Sequence, residues 1–274
     1  MTSFPGLARL SLVTLLALLM AGCGLFQRNE PTETLPVDQM YEEAKRSLVG
    51  GNLSRAERYY TRLIARFPFG EYTEHAQIEL AYTQFRAGRY PEATSTINRF
   101  IRTYPTHEHI AYAYYLKGLI NFSRENAFTE RVARLDMTQR DQSSVRQSYN
   151  DFAELIRRFP DSIYAADARQ RMVYLRNQMA RHEINVGTFY FHKGAYLAAA
   201  ARGQHVLETY PQSEYQYDAV ALMGASYARL GQDDLSQDSR RVLQLNEPNH
   251  PWLSGEWPQR RGRLGRLNPF GGNR

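Results

Sequence analysis

Residues 81–105, AYTQFRAGRYPEATSTINRFIRTYP, carry the frame from which the folded part of the chain can be read. Ala81, Gly88, Tyr90, Ala93, Ile97 and Pro105 stand at spacings that suit two antiparallel helices joined by a tight turn. A small residue on the first helix lets the second cross it closely, Gly88 supplies the backbone freedom that ends the first helix, and Pro105 cannot continue the second. Thirty-seven residues upstream the frame recurs as Ala44, Gly51, Leu53, Ala56, Tyr60 and Pro68, and thirty-seven downstream of Ala81, Gly118 opens a third copy. Gly187, Gly194, Tyr196, Ala199 and Pro211 make a fourth, and Gly224, Gly231, Ser236 and Pro248 a fifth. Four copies close on an aromatic followed by proline, at Phe67-Pro68, Tyr104-Pro105, Phe159-Pro160 and Tyr210-Pro211; the fifth departs, with Glu247-Pro248.

This pattern resembles tetratricopeptide repeats, helix–turn–helix units whose usual period is about 34 residues. The predicted fold is all-α: a tetratricopeptide-like helical repeat solenoid of five repeats over 36–248, with two central insertions. The three extra residues per period fit the connection after each proline, where Phe69-Gly70 or Asp161-Ser162 would extend the turn. The closing prolines are 37, 55, 51 and 37 residues apart, so the middle of the array is lengthened twice. The first insertion, about 18 residues between Phe122 and Gln147, contains Arg134, Asp136, Arg140 and Asp141, and loops of that length are uncommon unless they have a role. The second, about 14 residues, lengthens the helix from Ala165 through Met179 ahead of the fourth repeat. Together they divide the array into 36–164 and 165–248.

At the amino-terminal side Arg9 precedes an apolar run from Leu10 to Met20, followed at once by Ala21-Gly22-Cys23. Eleven residues are too few for a membrane span, which needs about 20, and the layout is that of a secretory signal over 1–22. Cys23, the only cysteine, stands where a bacterial lipobox resemblance implies acylation. The same resemblance reads Gly24, rather than an aspartate, as favouring the outer membrane. Residues 23–35 lack apolar periodicity and read as a lipidated tether. With the cysteine committed to lipid, no disulfide is expected and stability rests on helix packing. The chain carries a formal charge of +6. Much of it lies in 249–274, where arginines 260, 261, 263, 266 and 274 face only Glu256 among several prolines and glycines. That stretch reads as a basic disordered tail. Such a run could bind nucleic acid, but an exported lipoprotein meets headgroups, peptidoglycan and acidic partners instead, so no nucleic-acid partner is expected and a solvated tail is favoured.

Catalysis finds no support in the residues. His107 and His109 alternate in a turn without cysteine or carboxylate partners suited to a metal, and His182, His192 and His205 have no nucleophile beside them. No phosphate loop or G-x-S-x-G elbow occurs. The expectation is a non-enzymatic protein with no cofactor and no metal.

Two surfaces stand out. First-helix residues three and four apart, in the frame of Ala44, Ala81 and Gly118, include Tyr41, Ile78, Tyr82, Phe85, Tyr112, Tyr115 and Phe122; they either line a concave groove or pack between repeats. Their counterparts in repeat five are Asp218, Ala221, Ala225 and Ala228, so aromatic surface is concentrated at one end. The second surface is the smooth run Ala195-Tyr196-Leu197-Ala198-Ala199-Ala200-Ala201-Arg202, with Arg240 and Arg241 on the corresponding helix of repeat five. Its alanines either pack between repeats or allow a partner's close approach, with the arginines taking carboxylates by two hydrogen bonds.

The lipobox, the long-period repeats with their aromatic–proline ends, the segment Tyr114-Tyr115-Leu116-Lys117-Gly118-Leu119 and the Arg140-Asp141 loop together resemble the BamD (ComL) family. That family is the essential lipoprotein of the outer-membrane β-barrel assembly machinery, and the likeness covers Cys23 to about Pro248. It implies a lipid-anchored scaffold on the periplasmic face of the outer membrane. Its carboxy-terminal repeats would dock periplasmic domains of BamA near Arg202, Arg240 and Arg241, alongside other assembly-complex lipoproteins, and its amino-terminal groove would receive unfolded outer-membrane protein segments. The alternative is a pilotin-type or peptidoglycan-associated repeat lipoprotein, which co-purification would separate.

Overall fold

The computed structural model describes residues 34–131 and 142–257. Among the described residues there are ten α-helices: α1 (Val37–Val49), α2 (Leu53–Arg66), α3 (Glu71–Arg86), α4 (Tyr90–Thr103), α5 (Ile110–Arg131), α6 (Ser143–Arg158), α7 (Ala165–His192), α8 (Tyr196–Thr209), α9 (Gln216–Arg229) and α10 (Asp233–Asn246). A single 3₁₀ turn, Pro251–Ser254, follows. The chain divides into two compact units between Ala76 and Gln77.

Each repeat contributes two helices. Within repeats one, two, four and five the two helices are joined by three residues, and the glycine there, Gly51, Gly88, Gly194 or Gly231, has φ between +72° and +80°. Any side chain at those positions would be strained in the left-handed region. Connections between repeats are longer, as expected from the period. Phe67, Tyr104, Phe159 and Tyr210 each end a second helix by donating their backbone N–H to the carbonyl four residues back. Glu247 does the same to Leu243, so the fifth repeat keeps the geometry without the aromatic.

In the first unit, α1 and α2 form a hairpin that buries Met40, Ala44, Ala56, Tyr59, Tyr60 and Leu63. Asn52 starts α2 by accepting a hydrogen bond from the Arg55 backbone N–H at 3.1 Å, satisfying one donor that the helix leaves open.

In the second unit, α3, α4 and α5 share a core of Ile78, Ala81, Ala93, Ile97, Phe100, Ala113, Leu116 and Ile120. A further core joins α6, α7, α8 and α9 through Phe152, Leu155, Leu175, Met179, Val206 and Leu222. Each such side chain contributes about 1.5–3 kcal/mol on burial. The small residue of the frame is a close-approach position. A Cβ on Gly118 would lie 2.5 Å from a Phe152 ring carbon of α6, closer than packed atoms allow. Beside it Asp151, 3% exposed, accepts from Asn121 at 2.7 Å and Gln147 at 3.0 Å and pairs with Lys117 Nζ at 3.0 Å. This polar node ties α5 to α6.

The two insertions take different forms. The first lengthens α5 beyond its frame, and Arg134, Asp136, Arg140 and Asp141 lie outside the described residues. The second makes α7 a single helix of 28 residues, in which the first helix of repeat four is the carboxy-terminal half. The reading of 249–274 as disordered needs correction at its start. His250 and Trp252 are 7% and 8% exposed and pack on repeat five; the stretch from 258 on lies outside the described residues, as do the signal and Cys23.

Candidate binding surfaces

On the first helices of the second unit a strip of aromatic residues is built in register. Tyr82 and Phe85 of α3 lie 6.3 Å apart, ring to ring. Tyr112 of α5 follows, its hydroxyl surrounded by burial, Glu79, Tyr82, Tyr164 and Tyr115, which together push its pKa far above the ordinary tyrosine value. Tyr115, one turn on, stacks on Tyr164 with centroids 5.0 Å apart and donates its O–H to Asp167 Oδ2 at 2.6 Å. Phe122, two turns beyond, carries the Arg171 guanidinium 4.9 Å over its ring and Tyr174 at 5.8 Å.

Asp167 joins these pieces. It accepts from Tyr115 and from Arg171, four residues later on the same helix. Burial pushes its carboxyl upward, yet the hydrogen bonds from Arg171 and Tyr115 outweigh that and hold it below the usual carboxylate range. Desolvation, followed by the bond to Asp167, raises Tyr115. The strip is thus half-buried aromatic surface, held in place by one carboxylate and one arginine rather than left to move freely.

Of the residues predicted for this face, Tyr82, Phe85, Tyr112, Tyr115 and Phe122 are half-buried and face along it. Ile78 does not. At 5% exposure it belongs to the core of α3–α5, because it stands on the side of α3 turned to α4. Tyr41 lies in the first unit, half-buried among Tyr60, Tyr72 and His75 at 5.6–6.5 Å. The sequence reading missed Tyr164, which precedes the long helix, and Asp167, Arg171 and Tyr174 within it. Their spacing, three and four residues apart and continued by Gln178, aligns them along one helix face, and that is the available signal; Asp167, Arg171 and Tyr174 belong to the insertion and so have no counterpart in the repeat frame.

The arginine surface is rearranged in detail. On α8, Ala199 and Ala200 are packed inside, while Ala198, Ala201, Arg202 and His205 line, with Tyr190 of α7, a shallow depression of about 410 Å³. Arg202 donates from Nη1 to Glu183 Oε2 at 2.8 Å and lies 5.9 Å over the Tyr190 ring; the bond to Glu183 raises its pKa. Arg240 is exposed, covers Trp252 at 5.2 Å and reaches the Leu253 carbonyl at 3.4 Å. Arg241 is exposed and paired with Asp238.

Among the described residues, no group of three or more histidine, cysteine, aspartate or glutamate side chains is placed to hold a metal ion. The His107 and His109 rings lie 5.4 Å apart, tilted by 55°. No described helix is long and apolar enough to cross a membrane.

These features define a tetratricopeptide-like helical-repeat protein. The chain matches the family model described as "YfiO: Outer membrane lipoprotein" over residues 33–243. A protein of Xylella fastidiosa (strain 9a5c) named outer membrane protein assembly factor BamD is 46% identical, the match covering 93% of this chain and 88% of that one. Its namesake in strain Temecula1 is 43% identical over 100% of this chain and 94% of its own, and that of Neisseria meningitidis serogroup A is 37% identical over 82% and 85%. The chain belongs to this BamD/YfiO family of outer membrane lipoproteins.

Proposed function

We propose that this protein is a non-enzymatic assembly factor for outer membrane proteins, a lipoprotein anchored through Cys23 to the periplasmic face of the outer membrane. The observation that carries the reading is likeness along nearly the full chain to relatives at 46% and 43% identity, both named outer membrane protein assembly factor BamD. The half-buried aromatic strip of α3, α5 and α7 supports a division of labour in which unfolded outer-membrane protein segments lie along it. An extended segment presents apolar side chains on one face, and each one covered contributes about 1.5–3 kcal/mol. The depression beside Arg202 supports docking of BamA periplasmic domains, with the guanidinium meeting a partner carboxylate at a site floored by small side chains. Other assembly lipoproteins complete the set of partners.

Purification from detergent-solubilised membranes tests the partner. BamA is expected to come with the wild-type chain, and Arg202→Glu is expected to weaken that complex about tenfold, the scale of an interfacial charge contact of about 1.4 kcal/mol, with a charge-reversed partner restoring it. Unchanged affinity for Arg202→Glu would remove this docking face, and recovery of a secretin or the cell wall instead of BamA would replace the reading.

A further inference from the structure

In repeat four, a Cβ on Gly187 would lie 2.4 Å from Leu222 of α9, the first helix of the following repeat, and 3.1 Å from Cβ of Arg202 on its own second helix. In repeat five, a Cβ on Gly224 would lie 2.4 Å from Cη2 of Trp252 and 2.7 Å from Cβ of Ser239. Gly224 is thirty-seven residues after Gly187, and Ser239 is thirty-seven after Arg202. Trp252 therefore stands where the next repeat's Leu222 stands, although residues 250–257 carry none of the repeat frame.

We infer that residues 250–257 are a self-cap, a short segment that takes the place of a following repeat's first helix and closes repeat five. A repeat cannot cover its own apolar face, so the last one in a stack needs a substitute neighbour. The segment is built for that work. Trp252 completes a cluster with Ala221, Ala225 and Leu243. His250 starts the 3₁₀ turn, its Nδ1 accepting the Trp252 backbone N–H at 3.2 Å, and its Nε2 stands 3.4 Å from Asp218 of α9. Trp257 meets the His250 ring edge-on at 5.7 Å, and Arg240 lies 5.2 Å over the ring of Trp252. Gly255, with φ +86°, turns the chain at the end of the 3₁₀ turn. The family model's match stops at residue 243, whereas the likeness to the Temecula1 relative runs over the whole chain, the cap included.

Hydrogen exchange read by mass spectrometry on the full mature chain tests this. Trp252→Ala is expected to speed exchange in α9 and α10 at least tenfold while α5 and α6 keep their wild-type rates. A chimera that places the sequence 212–229 from position 249 onward keeps the thirty-seven-residue spacing and supplies a true first helix; it is expected to restore protection of α9 and α10. Wild-type exchange in Trp252→Ala overturns the inference, as does a chimera no better protected than Trp252→Ala. Loss of protection throughout, α5 and α6 included, also overturns it, because a cap acts on the repeat that it covers.

Discussion

Repeats three and five place a glycine, Gly118 or Gly224, at the same point of one frame and finish their first-helix faces in opposite ways. In repeat three the positions Tyr112, Tyr115 and Phe122 stay half-buried beside α7, joined to it by stacking on Tyr164, by Asp167 and by Arg171. In repeat five the corresponding Asp218 and Ala221 lie beneath His250 and Trp252. The difference teaches that the frame residues encode how helices pack, whereas the residues between them decide whether a face stays half-buried aromatic surface or is closed by a segment outside the repeats.

The comparison breaks first at Phe152. Its ring fills the close approach to Gly118 and is fully buried, so Phe152→Ala is expected to cost about 3–5 kcal/mol, read as the change in urea unfolding midpoint. A cost under about 1 kcal/mol would mean that the Gly118 crossing does not organise repeat three. In repeat five the counterpart is Gly224→Ala, which pushes a methyl against Trp252 and Ser239. A loss of about 1–3 kcal/mol is expected from overpacking, accompanied by greater exposure of Trp252 to a fluorescence quencher. Stability lost without a change in Trp252 would place the strain at Ser239 alone.

Much of the fold was legible because its determinants are local and periodic. Ala81, Gly88 and Pro105 mark a helix crossing, a helix end and a helix stop, and each acts through backbone geometry that a neighbouring repeat copies. The candidate surface was legible only in part. Tyr82, Tyr115 and Phe122 follow from the frame, but Ile78 shares their spacing and faces inward, since which side of α3 meets α4 is settled by packing and not by periodicity. Asp167 and Arg171 stand in an insertion with no counterpart to compare, and Arg240 shows no trace in sequence of the tryptophan it covers, twelve residues away. Trp252 was hidden in a stretch whose prolines, glycines and arginines argued for disorder, a case in which one buried aromatic outweighs composition.

The smallest expected effect sharpens the open side. Tyr115→Phe removes the O–H bond to Asp167 and keeps the stacked ring, so about 1 kcal/mol should be lost, with the shape of the strip retained. Its signature is in the pH dependence. Asp167 is held below its ordinary pKa, so its contribution is present above the unfolded carboxylate range and lost as pH falls through the lowered value. With one of the bonds that lower it gone, the folded pKa moves back toward the unfolded one, so Tyr115→Phe is expected to lose less on acidification and to level off at higher pH than the wild type, seen as a shallower fall in thermal midpoint. Superimposable profiles would show that Arg171 alone holds the carboxylate.

The central claim, that the aromatic strip of α3, α5 and α7 receives an extended outer-membrane protein segment, is tested most directly by photo-crosslinking. A photoreactive side chain placed in turn at Tyr82, Tyr115, Phe122 and Tyr174 would be probed with a peptide of alternating apolar residues ending in an aromatic. Leu245 is the control, being 83% exposed on α10 and apart from the strip; Ala225 cannot serve, because Trp252 covers it. Labelling at the four strip positions and little at Leu245 is the predicted result, and equal labelling at all five, or none at the strip, would contradict it.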